Sequence, residues 1–203
     1  MKRSVKKVCE NELLKRQEQL QAEAKAVAEE LNLDDLLSLA GNPVRVGSAA
    51  LGLMAWRDLD ITVVCPKLDM DQVAEIASML MVRQGIRELR FLNDTGVWNT
   101  DINYPDGFYI GLNYRAQSGE DWKLDLWFVD EPDKQPDLAH IKTMPERLTP
   151  ELRKSILTIK NMWASRDEYG KEVKSFDIYT AVLDDHVKTP HQFEEWLKKK
   201  SRQ

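Results

Sequence analysis

One strand-like run in the first third of the chain limits what the molecule can be. Residues 58–64 read Asp-Leu-Asp-Ile-Thr-Val-Val and are closed by Cys65 and Pro66. Leu59, Ile61 and Val63 alternate as the buried face of a strand, so Asp58 and Asp60 share the opposite face, about 6.6 Å apart along the chain. Two carboxylates held this close repel, and each favours its neutral form. A strand that keeps both must end in water or hold a cation. Mg²⁺ suits the second case, because it prefers carboxylates combined with substrate phosphates to an all-protein cage. Two such ions about 3.5–4 Å apart can orient an in-line phosphoryl displacement.

Upstream, Pro43 to Ser48 read as a short strand that ends in Gly47-Ser48. Glycine lets backbone approach a ligand closely, and Ser48 offers a hydroxyl and an N–H where a helix begins, a place that favours phosphate. A compact helical turn over roughly 49–56 would return the chain beside the first strand. Downstream, Trp-Lys-Leu-Asp-Leu-Trp-Phe-Val places one acid, Asp125, opposite the apolar positions Trp122, Leu124, Leu126 and Phe128. Asp125 can complete a metal set or accept the proton of an attacking hydroxyl, and the sequence leaves both roles open.

The rest of the pattern is α+β. A charged helix over residues 10–31 carries one apolar stripe, Leu13, Leu20, Ala24, Val27 and Leu31, which fits packing within its own domain or a homodimer. Residues 69–84 predict a second amphipathic helix, 86–94 a strand, and 108–115 with 121–130 a β-hairpin. Beyond the two prolines of 131–140 the chain turns helical, with Thr149-Pro150 and Thr189-Pro190 as paired N-cap and first-turn signals. The expected division is 1–136, a mixed sheet with flanking helices, and 137–203, a helical C-terminal region.

Taken together, Gly47-Ser48, Asp58-x-Asp60 and the later strand acid Asp125 resemble the DNA polymerase β-like nucleotidyltransferase superfamily, over roughly residues 43–129. The resemblance implies a small mixed sheet and Mg²⁺-dependent transfer of a nucleoside monophosphate from an NTP, with ATP expected. It implies phosphate binding by Gly47 and Ser48, and metal binding and catalysis by Asp58, Asp60 and Asp125. The compact size and helical tail look like the smaller bacterial members, including those that modify aminoglycosides or lincosamides, so a small-molecule hydroxyl acceptor is expected. A protein-modifying (AMPylating) enzyme and an inactive nucleotide- or partner-binding module are the competing readings.

Among other residues, Lys154 and Lys160 lie on the Thr149 helix, and Lys160 is the candidate to meet the triphosphate. Trp98, Tyr104, Tyr109 and Tyr114 surround the loop before Asp125, with core packing the expected duty for most. Asp94, Asp101 and Asp106 make that loop acidic, a rim suited to a cationic acceptor. Arg57 should point away from the aspartate face, toward the surface. A net charge of −5 argues against binding bulk nucleic acid. Two cysteines, Cys9 and Cys65, form no disulfide framework, and with no secretory signal or membrane-length apolar run the expected setting is cytoplasmic.

Overall fold

The computed structural model describes residues 10–200. Cys9 lies outside them. The chain divides into two compact units: Gln21–Gly52 with Arg57–Pro145, and a second whose described residues are 10–20, 53–56 and 146–200.

The first unit holds the sheet. Its elements are α1 (Glu10–Glu30, which begins in the other unit), α2 (Leu33–Leu37), β1 (Asn42–Arg45), α3 (Gly47–Leu51), β2 (Asp58–Val64), α4 (Met70–Met81), β3 (Ile86–Asp94), β4 (Gly107–Arg115), β5 (Asp121–Val129) and α5 (Pro136–Thr143). The strands run in the order β1-β2-β5-β4-β3. β2 and β5 are parallel, whereas the other neighbours are antiparallel, so the sheet is mixed. The β4–β5 hairpin forms as the alternation predicts, with the Ala116 N–H bonded to Glu120 O at the turn. One sheet face is core: Leu59, Ile61, Val63, Leu124, Leu126, Phe128, Ile110 and Leu112 are all buried. α4 packs against β3 and β4. Its Val73, Ile76, Ala77 and Leu80 turn inward, while Met81 at the helix end is exposed. Asp69 caps α4 by accepting from the backbone N–H groups of Asp71 and Gln72.

The second unit is helical: α6 (Pro150–Trp163), α7 (Ser175–Leu183) and α8 (Pro190–Lys200). Both Thr-Pro openings work as predicted. Thr149 Oγ1 accepts from Leu152 N and Thr189 Oγ1 from Gln192 N. The stripe of α1 is buried within the chain itself, from Leu13 to Leu31.

Three expectations shift. The turn after Gly47-Ser48 is a single short helix, α3, stopped at Gly52 by a left-handed φ of 64°. Arg57 is half-buried rather than free in solvent: its guanidinium is held between Glu23 at 2.8 Å and Glu120 at 3.1 Å. Of the four aromatics near the loop, Tyr114 is buried, but Trp98 and Tyr104 are exposed. The loop is organised by its own polar groups, with Asn99 bonding the Tyr104 carbonyl and Asp106, and the Gly96 N–H bonding Asp106.

Among the described residues, no helix is long and apolar enough to cross a membrane.

Candidate active site

The parallel pairing of β2 with β5 places Asp60 directly beside Asp125 and Asp58 beside Lys123. The period-two alternation of strands puts all four on the face opposite the core. Each of Asp58, Asp60 and Asp125 contributes a carboxylate oxygen to a group whose members all lie within 4.8 Å of one another. The pairing starts cleanly because the Lys123 N–H bonds the Arg57 carbonyl, and Arg57 is itself clamped by its two glutamates.

These acids are not a solvated strand end. The Asp58 and Asp125 side chains are only 20% and 16% exposed, and Thr62, the next residue on the same face, is fully buried. Burial raises the Asp60 pKa well above the usual carboxylate range, and the charges of Asp58, Asp125 and then Asp137 add to the effect. Asp137 enters from α5, which packs on α3, and sequence reasoning did not single it out.

Gly47 stands against Asp60. Its φ of +60° lies in the left-handed region, and a Cβ there would collide with the Asp60 carboxylate. The Val46 N–H bonds the Asp60 carbonyl at 3.0 Å, fixing that turn to β2, and Gln21 donates to the Ala49 carbonyl at 2.6 Å. Ser48 is buried at the start of α3.

Two further residues complete the cluster. The Tyr109 hydroxyl donates to Asp125 Oδ1, and the Lys123 ammonium bonds Asp125 Oδ2 while lying 3.9 Å from Asp58. Tyr109 reaches its partner because Gly111, opposite Asp125 in the register, leaves the space; a Cβ at Gly111 would meet the Tyr109 hydroxyl at 2.5 Å. Burial and the Asp125 hydrogen bond push the Tyr109 pKa upward, so it stays a donor at neutral pH. Burial works against the Lys123 ammonium, but Asp58 and Asp125 outweigh it and hold its pKa above the ordinary value. Strand spacing alone places Lys123 on the Asp125 face. Tyr109 requires the cross-strand register as well.

Of the residues singled out from sequence, Asp58, Asp60, Asp125 and Gly47 therefore stand together, with Ser48 adjacent in the chain. Lys160 belongs to the second unit. It is fully buried on α6, where its ammonium donates to Tyr179 Oη at 3.2 Å and sits 4.8 Å from the centre of the Trp56 ring.

The donor set suits a hard divalent cation: three carboxylates on rigid strands, with more negative charge than Lys123 can balance. No family model matches the chain, and no curated protein matches it. Solved structures do. Cid1, described as having RNA terminal uridylyl transferase activity, aligns with a TM-score of 0.55 at 20% identity over 80% of this chain and 46% of its own. Cid1 in complex with its short product ApU aligns at 0.56, with 17% identity, over 86% and 54%. Cid1 poly(U) polymerase with MgGTP bound aligns at 0.52, with 20% identity, over 86% and 56%. The chain spans about half the length of these structures. The likeness is one of fold: the mixed sheet and its helices match the nucleotidyltransferase fold of these structures.

Proposed function

We propose that the protein is a metal-dependent nucleotidyltransferase that moves a nucleoside monophosphate from an NTP to a hydroxyl of a small acceptor. An acceptor oxygen forms a bond to the α-phosphorus, the bond from that phosphorus to the β-phosphate bridging oxygen breaks, and pyrophosphate leaves. The observation that carries this reading is the convergence of Asp58, Asp60 and Asp125 on adjacent parallel strands beside the left-handed turn at Gly47.

Asp58, Asp60 and Asp125 would hold Mg²⁺, which when bound neutralises phosphate charge and polarises the group transferred. The chain supplies the positioning. Gly47 keeps side-chain bulk away from Asp60, and Gly47 and Ser48 offer backbone N–H groups to phosphate oxygens. Tyr109 holds one oxygen of Asp125, which fixes that carboxylate for the metal or for the acceptor's proton.

A second acceptor class is favoured by the fold likeness, because Cid1 is described as acting on RNA termini. The net charge of −5 weighs toward the small acceptor. The test is pyrophosphate release from each NTP with Mg²⁺, in the presence of an aminoglycoside and lincosamide panel, an oligoribonucleotide, or the protein alone. Release stimulated by a small hydroxylated compound is the expected result. Extension of the oligonucleotide moves the assignment to RNA, labelling of protein moves it to AMPylation, and no release with any partner leaves a binding module.

A further inference from the structure

We infer that Lys123 is the resident counter-cation of the carboxylate cluster, and that it gives up its place when a divalent ion enters. This inference rests on the metal-binding reading above.

Three observations support it. Lys123 is opposite Asp58 on the parallel ladder and two residues before Asp125 on one strand face, so its ammonium is directed at both acids by backbone alone. It bonds Asp125 Oδ2 and lies 3.9 Å from Asp58 Oδ1, one oxygen from each of two members of the candidate metal set. A cation bound by both carboxylates needs those same lone pairs. The Lys123 side chain is 55% exposed, against 16–20% for the two acids, so the ammonium can swing into water on its flexible stem without opening a cavity. The other donor to Asp125, Tyr109, occupies the second oxygen and is half-buried, so it can stay while Lys123 leaves. The cluster is thereby kept assembled before any ion arrives, and the ion must compete with an internal ligand rather than with water alone.

The test is titration of Mn²⁺ alone into the full chain, following free Mn²⁺ by electron paramagnetic resonance and thermal melting in parallel. Lys123→Met should bind Mn²⁺ about two- to fivefold more tightly, the range that fits a partly exposed ion pair. Its metal-free form should melt at lower temperature and gain more from Mn²⁺ than wild type does. Lys123→Arg should restore wild-type affinity. Lys67→Met removes the same charge beyond the far end of β2 and corrects for net charge. Equal affinity in the Lys123→Met and Lys67→Met variants, or weaker binding in Lys123→Met, overturns the inference while leaving the metal site intact, provided that Asp60→Asn has lost Mn²⁺. If Asp60→Asn binds Mn²⁺ as wild type does, the cluster is not the metal site, and both the inference and the active-site reading fall.

Discussion

Two places in this chain put charge under cover, and they do it in opposite ways. In the helical unit, Lys160 is a single ammonium whose surroundings accommodate it: the Trp56 and Tyr179 rings at 4.8 and 5.5 Å and the Tyr179 hydroxyl. In the sheet unit, Asp58, Asp60 and Asp125 are like charges brought together, with the Lys123 ammonium against two of them. A satisfied buried charge can be part of a core. A gathered set of like charges weakens the protein that carries it unless a ligand offsets their repulsion.

Substitutions can break that contrast, beginning with the largest effect. Asp60→Asn should lower pyrophosphate release by about a thousandfold, since metal-borne charge stabilisation is worth several kcal/mol. The same variant should melt higher than wild type without metal. Lys160→Ala should lose about 3 kcal/mol in chemical denaturation, as expected for a large buried side chain cut back to Cβ, whereas Lys160→Met should stay within about 1 kcal/mol of wild type. A collapse of Lys160→Met would show that the helical site depends on its charge and not on its volume. Gly47→Ala should cost about 2 kcal/mol of stability, through its left-handed backbone and its collision with Asp60, with turnover falling in parallel.

A smaller effect is expected from Tyr109→Phe, about tenfold in turnover, corresponding to one hydrogen bond to a charged group. Last comes pH. The Asp60 pKa is raised in the folded state, so the native protein binds more protons than the unfolded chain between the ordinary carboxylate pKa and the raised value. Metal-free stability should therefore be highest below that window and fall as pH rises through it. Melting curves across that range in EDTA should show the slope, and Asp60→Asn should flatten it.

The carboxylate cluster was more legible in the sequence than its surroundings. Asp58-x-Asp60 and Asp125 declare themselves because acids interrupt apolar alternation, and alternation is a one-strand property. Tyr109 and Asp137 depend on which strands and helices become neighbours, which no local pattern specifies. Lys160 illustrates another limit. It lies on the α6 face with Ile156, Ile159 and Trp163, so its position in the stripe was readable, yet lysines are usually solvated and burial turned on rings contributed from elsewhere in the chain. Trp98 and Tyr104 fail in the reverse direction: aromatic residues predict a core, but both are exposed on a loop held by the polar groups of Asn99 and Asp106.

The β2–β5 pairing has a consequence for how the molecule assembles. β4 and β5 are joined by a short turn and can zip locally, but β2 must find β5 across a long intervening stretch, with a helix and two strands between them. Non-local parallel pairing of this kind is slow. Here that pairing also brings Asp60 against Asp125. The barrier to folding then contains an electrostatic part, and divalent ions or mild acid should speed refolding by easing the docking of that one strand.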